Sequence, residues 1–192
     1  MNSMPTTLAV IAAIANGPFN IRPVARPKAG TGEVLIRVHA SGTNPLDTKI
    51  HAGEAAHARR PLPAVLGMDV AGVIADVGPG VTDFAAGDEV YGLIGGVGSL
   101  PGTQAQDVIA DARLLAHKPT NLTMREAAVL PLVTITAWEG LIDRAAIRHG
   151  DKVLVQGGAG GVGHVAVQIA LARGARAFAT AFVADHDYLL GL

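Results

Sequence analysis

Residues 33–40 read EVLIRVHA, and within them Ile36, Val38 and Ala40 alternate with Arg37 and His39. Alternation with a period of two predicts a half-buried antiparallel strand, with His39 as a solvated side chain on its polar face. Residues 7–24 divide at Asn16-Gly17-Pro18 into two more short strands. Residues 66–77 (LGMDVAGVIADV) are strand-like, interrupted by glycine and closed by Gly78-Pro79-Gly80, and residues 87–92 and 105–110 add further strands. Short strands at close spacing with turn signals between them, as far as about residue 115, predict an antiparallel barrel or sandwich.

Helical signals interrupt this pattern once and then replace it. Asn44 followed by Pro45 is a helix start, an N-cap and then proline at the first helical position, and Asp47 lies in the first turn, where a carboxylate favours the helix dipole. Capping alone would account for both Asn44 and Asp47. Residues 53–63 form a polar, proline-bearing loop. Thr123-x-x-Glu126 is a capping box leading into a helix over residues 127–130, and Pro131 kinks or restarts it. Residues 132–146 read as a second helical segment with Trp138 and Leu141 on its apolar side, ending near His149-Gly150. The shift near residue 120 divides the chain into a β domain, residues 1–120, and a second domain, residues 121–192.

The second domain centres on residues 151–173, DKVLVQGGAGGVGHVAVQIALAR. An apolar run, residues 152–156, is long enough for a buried strand. A glycine loop follows, and then a helical pattern in which Val162, Ala166, Ile169 and Ala170 recur at three- and four-residue steps. In Gly158-x-Gly160-x-x-Gly163 one glycine permits the tight turn, one lets backbone approach a pyrophosphate and one lets helix pack close to strand. A diphosphate would rest on unpaired amides at the helix N-terminus, with Gly158, Gly160, Gly161, Val162 and Gly163 as the cofactor-binding candidates. A mononucleotide P-loop would need Lys-Ser/Thr after the last glycine, and here Gly163 is followed by His164-Val165. A structural glycine turn is the alternative.

A second strand, residues 175–180, ends at Phe178-Ala179-Thr180-Ala181-Phe182 without a carboxylate. In sites that prefer NAD, an acidic residue there bonds the ribose 2′-hydroxyl, so its absence favours NADP (NADPH). Thr180 is a cofactor-binding candidate at this strand end. Asp185 reads as a helix N-cap. His186 is a candidate for contact with a 2′-phosphate and equally for an ordinary exposed histidine.

Composition narrows the classes. The chain is 49% hydrophobic and 16% charged with a net charge of −1, which gives no reason to expect nucleic acid or an anionic membrane as partner. It has no cysteine, which excludes disulfides, thiolate nucleophiles and cysteine-based zinc sites. Residues 8–15 have the composition of a signal-peptide core, but no Lys or Arg precedes them and Gly17-Pro18 leads into another strand, so they read as a first β-strand. No apolar run approaches the roughly 18 residues that span a bilayer, and the expected location is the cytoplasm.

Four ordered blocks, GEVLIRVHASGTNPLDTKIHAGE, LPAVLGMDVAGVIADVGPGVTDFAAGDEVYG, LAHKPTNLTMREAAVLPLVTITAWEGL and VLVQGGAGGVGHVAVQIALARGARAFAT, resemble the medium-chain dehydrogenase/reductase superfamily, within it the zinc-independent quinone-oxidoreductase-like branch. The resemblance implies a GroES-like antiparallel β domain followed by the first part of a Rossmann doubly wound parallel sheet, with the active site between them. It further implies that the remaining Rossmann strands lie beyond Leu192. In zinc-dependent relatives a Cys stands at the position of Asn44 and a His-Glu pair at Met68-Asp69, so the resemblance implies no metal site here. What remains is hydride transfer from NADPH to a small-molecule acceptor, a quinone or the β-carbon of an enone. By family position Asn44 and Thr134 line the nicotinamide pocket, Asp47 supports them, and Lys49 is the nearest ionisable group able to stabilise an enolate or hydroquinone anion. The family pattern often has Tyr at Lys49 and Arg at His51, where this chain departs from it.

The alternative reading is a binding module of the same fold that does not turn over. An open strand edge would also permit a homo-oligomer.

Overall fold

The computed structural model describes residues 5–192, which form two compact units, residues 5–131 and 132–192. In the first, strands β1 (Thr6–Ala12) and β2 (Phe19–Ala25) make a hairpin in register from Thr6 opposite Ala25 to Ala12 opposite Phe19. The predicted break at Asn16-Gly17-Pro18 is its turn, and Asn16 takes the left-handed conformation there (φ 54°). Strand β3 (Glu33–Gly42) is followed by helix α1 (Pro45–Ala52), the short strand β4 (Ala64–Val65), and strands β5 (Asp69–Val77), β6 (Glu89–Leu93), β7 (Asp107–Asp111) and β8 (Leu115–His117). β4 pairs on the free side of β1, and the remaining strands form a five-stranded antiparallel sheet in the order β7-β3-β5-β6-β8.

The alternation in β3 places Ile36 in the core while Arg37 and His39 face solvent. Ile36 joins Val34, Val70, Ile74, Val90, Ile94, Val108 and Ala110 in one buried cluster contributed by four strands and the residue that follows β6. Each large member contributes about 2 kcal/mol of apolar burial, which is why the sheet folds around this face. The strand expected over residues 66–77 begins only at Asp69, because Gly67 adopts φ 93° and breaks the extended backbone.

Helix α1 starts at the predicted cap: Asn44 is extended, Pro45 opens the helix, and the Asp47 carboxylate accepts the Asn44 N–H at 2.8 Å. Gly53 in the left-handed conformation ends it. The Thr123–Glu126 capping box starts the short helix α2 (Met124–Ala127), with the Thr123 N–H donating to Oε2 of Glu126 at 2.8 Å. Ala127 and Ala128 then pack on Ala71 of β5, which carries the first unit past the composition shift near residue 120 as far as Pro131.

The second unit contains most of helix α3 (Pro131–Trp138), a wide π-type segment (Glu139–Arg144), strand β9 (Lys152–Val155), helix α4 (Gly161–Ala172), strand β10 (Arg176–Ala179) and helix α5 (His186–Leu190). β9 and β10 are parallel, with Lys152 opposite Arg176 and Val155 opposite Ala179, so β9-α4-β10 is a β-α-β unit. Its core is Ala137, Val155, Val165, Ala166 and Val167, with Val133 and Leu141 packed against it.

Three expectations need correction. Trp138 is 45% exposed, and the apolar side of α3 is carried by Val133 and Ala137, because the register places Trp138 one residue past the buried face. Leu154 is 62% exposed, since α4 covers one face of the strand pair and Leu154 points to the other, so β9 is not buried on both sides. The buried face of α4 includes Val165 and Val167 with Ala166 and Ala170, while Val162 lies at its rim. Among the described residues no helix is long and apolar enough to cross a membrane.

Candidate active site

In the second unit the glycine loop is built by β9 and β10 together. The Gly157 N–H donates to Oγ1 of Thr180 at 3.1 Å and the Gly158 N–H to the Thr180 carbonyl at 2.8 Å, so the residue that follows β10 holds the start of the loop. The tight turn falls on Gly157 (φ 70°), a residue outside the expected motif, rather than on one of the motif's three glycines. Gly163 does the close packing: a Cβ there would lie 2.1 Å from the Gly157 carbonyl oxygen. Helix α4 starts at Gly161 with Gly160 as its cap, and the His164 N–H is bonded back to the Gly160 carbonyl at 3.0 Å. The amides of Gly161, Val162 and Gly163 precede that bond in the first turn, the position from which a helix offers donors to an anion.

A cleft of about 510 Å³ opens beside the loop, lined by Gly157, Ala159, Gly160, Thr180, Ala181, Phe182 and Asp185. Asp185 does occupy the position before α5, but its side chain makes no capping bond and the residue lines this cleft. His186 is exposed at the start of α5 and is not among the lining residues. Thr134 is half-buried on α3, next to Val133, whose Cγ1 lies 3.6 Å from where a Cβ on Gly161 would stand. A backbone cradle without side chains, first-turn amides and a cleft of this volume fit the diphosphate and ribose of a dinucleotide.

In the first unit Asn44, Asp47 and Asp69 are buried together, with exposures of 7%, 2% and 1%. Asp47 ties two chain segments by its carboxylate: Oδ2 accepts the Asn44 N–H and Oδ1 the Gly67 N–H, each at 2.8 Å. Nδ2 of Asn44 donates to Oδ2 of Asp69 at 2.8 Å. The carboxylate can only accept, which fixes the amide's orientation, and a carboxamide has a second N–H to offer. Lys49 is exposed on α1 and its ammonium has no bond to this group. Among the described residues no three His, Cys, Asp or Glu side chains gather as a metal site.

Sequence reasoning brought together Asn44 with Asp47, and the glycine loop with Thr180. Asp69, Gly157 and Asp185, which the structure places beside these groups, were not among the candidates. Asp69 stands beside Met68 in the block GMDVAG, and its acidic character next to a glycine break was the available signal.

Residues 30–120 match the alcohol dehydrogenase GroES-like domain. The fold is similar to that of an alcohol dehydrogenase superfamily protein from Novosphingobium aromaticivorans, with 62% identity and a TM-score of 0.96 over 97% of this chain and 56% of that one. It is also similar to the quinone oxidoreductase from Coxiella burnetii, with 31% identity and a TM-score of 0.85 over 97% of this chain and 60% of that one. A 2-methylene-furan-3-one reductase from Solanum lycopersicum is 42% identical over 152 residues, 77% of this chain and 39% of the relative. The chain thus spans little more than half of those solved structures and a smaller share of the curated relatives it matches. The sequence blocks, the GroES-like match and the β-α-β unit define a medium-chain dehydrogenase/reductase. This chain belongs to that superfamily of oxidoreductases and carries its GroES-like sheet and the first β-α-β unit of its Rossmann-like fold.

Proposed function

We propose that the chain serves a reductase that moves a hydride from NADPH to a quinone or an activated alkene without a metal. The observation that carries this reading is the buried Asn44–Asp69 pair, a neutral hydrogen-bond donor held by a carboxylate at the positions where zinc-dependent relatives have ligands. The dinucleotide supplies the hydride when bound. The amides of residues 161–163 and Thr180, just after β10, would hold its phosphates and ribose, and Thr134 would border the nicotinamide. The second N–H of Asn44 donates to the acceptor oxygen and stabilises the negative charge that develops there. Asp47 keeps the Asn44 backbone in place, and Lys49 is the nearest ammonium on α1. The strand end without a carboxylate supports NADPH, and Asp185 in the same cleft is the group that opposes it. The relatives named as a quinone oxidoreductase and a furanone reductase support the acceptor class.

Titration with NADPH and with NADH, followed by nicotinamide fluorescence, tests the binding half. Micromolar binding, about −8 kcal/mol, is expected, and turnover of 9,10-phenanthrenequinone or an enone then tests the chemistry. Absence of any binding overturns the reading. Cofactor binding without turnover supports the second one, a binding module.

A further inference from the structure

A second cleft, of about 480 Å³, lies in the first unit at the C-terminal end of α1. Ile50, Ala55, Pro61 and Leu62 give it apolar walls, and its charged lining residues are Arg59 and Arg60. No carboxylate lines it; Glu54, the nearest acidic residue in sequence, is exposed and outside the lining.

The two guanidinium groups lack counter-charges. Arg26, Arg113, Lys118 and Arg144 each have a carboxylate within 3.1 Å, and neither cleft arginine has one among the described residues. Arg60 is pinned in place: Nη1 donates to the carbonyls of Gly98 and Leu100 and Nη2 to that of Val65, at 2.9 to 3.2 Å. These carbonyls orient the charge without neutralising it, and the Nε atom is buried with no partner. Burial pushes the Arg60 pKa down, as expected of a cation without a compensating anion. Arg59 is exposed, holds a left-handed backbone (φ 49°) that costs a non-glycine residue about 1 kcal/mol, and has no side-chain partner among the described residues. The exposed Arg59 guanidinium supplies free donors and the pinned Arg60 a fixed positive charge, which over apolar walls make a receptor for an anion on an apolar stem.

We propose that this cleft is a subsite for the anionic end of an alkyl ligand, a phosphate or carboxylate, engaged by Arg59 and Arg60. Helix α1 begins beside Asn44 and ends at the cleft, a rise of about 12 Å at 1.5 Å per residue, which is the length of stem that would separate this anionic end from a group reduced at Asn44. That attribution to the substrate rests on the oxidoreductase reading; the binding site does not.

The test uses the isotope-labelled 192-residue chain, with backbone amide shifts followed during titration with hexyl phosphate, hexanoate and hexan-1-ol. Saturable shifts confined to residues 55–62 are expected with one or both anions, weakening as salt is raised, and none with the alcohol. The stronger of the two anions identifies the headgroup. Arg59→Gln should weaken binding by about tenfold without altering the rest of the spectrum, and Arg59→Lys should restore part of it. An equal response to hexan-1-ol, shifts only at residues 157–163, or unchanged affinity in Arg59→Gln overturns the proposal. NADPH added to the same sample should shift residues 157–163; loss of that response while the anion response at residues 55–62 persists overturns the oxidoreductase reading alone.

Discussion

Nδ2 of Asn44 donates to Oδ2 of Asp69 across 2.8 Å, and both residues are buried. A second carboxylate cannot occupy the Asn44 position without placing two like charges in that site, so Asn44→Asp forces one of them to bind a proton. The raised folded-state pKa makes the variant least stable at high pH and relieves it as the pH falls. We expect a deficit of about 3 kcal/mol at pH 7 that narrows towards pH 5, read from unfolding midpoints of both proteins across that range. A constant deficit would show that repulsion between two carboxylates is not its source.

Asp47 is the tie between α1 and the segment before β5. Asp47→Ala would leave the buried amides of Asn44 and Gly67 without their acceptors. At about 1 to 3 kcal/mol for each orphaned donor, urea unfolding should show a loss of about 2 to 6 kcal/mol. Asp47→Asn should lose less, because one of its positions still accepts. A surface-sized loss below about 0.5 kcal/mol in the alanine variant would contradict the tie.

What the sequence showed and what it hid follow from the range of each interaction. The Asn44-Pro45 start, the Thr123–Glu126 box and the glycine loop rest on partners within a few residues, so their residue types announce them. The Asn44–Asp69 bond joins residues 25 apart, and Arg60 bonds Gly98 and Leu100 across 38 and 40 positions, where no local pattern registers. Leu154 is exposed for a related reason: periodicity marks an apolar run but not whether another element covers it, and α4 covers one face of the strand pair alone. Trp138 differs, since it lies one residue past the buried face that Val133 and Ala137 carry.

Acid stability has a specific source in the first unit. Burial alone would raise the Asp107 carboxyl, but hydrogen bonds from Arg26 and Thr7 and the charges of Arg26 and Arg37 outweigh it and hold the pKa below the usual carboxylate value. A depressed folded pKa gives stability that is present above the unfolded value, about 3.9, and is lost as the pH falls through the lower folded one. Arg26→Met should therefore lower the thermal midpoint at pH 6 while flattening its fall below pH 4. Parallel curves for the two proteins would remove the pair as the cause. Asp111 is held at about 2 by hydrogen bonds from Arg113, but that pair is exposed and screened, so Arg113→Met should leave the acid limb unchanged.

Asp185 stands in the cleft with Thr180 and Gly160, where a cofactor's ribose would lie under the proposed function. A carboxylate there accepts from a 2′-hydroxyl and repels a 2′-phosphate. Asp185→Ser should shift the ratio of NADPH to NADH affinity towards NADPH by about tenfold, measured by fluorescence titration of both cofactors. An unchanged ratio would take Asp185 out of the ribose site.

Gly161 and Gly163 sit two residues apart at the start of α4 and make opposite demands. A Cβ on Gly163 would lie 2.1 Å from the Gly157 oxygen and 2.8 Å from the Gly158 Cα, both backbone atoms of the loop, so alanine can enter only by driving the helix away from the strand. On Gly161 the same atom meets nothing nearer than Cγ1 of Val133 at 3.6 Å, an ordinary contact, and alanine gains up to about 1 kcal/mol of helix propensity over glycine. Gly163→Ala should thus destabilise the second unit by about 2 kcal/mol or more and abolish dinucleotide binding, whereas Gly161→Ala should keep or raise stability. Since the Gly161 amide would still point to the phosphate, its variant should also retain binding within about threefold unless the added methyl meets the ligand directly. Binding lost in Gly161→Ala with stability intact would place the diphosphate against that α-carbon. Binding kept in Gly163→Ala would show that the close approach of α4 to the loop is not what forms the cradle.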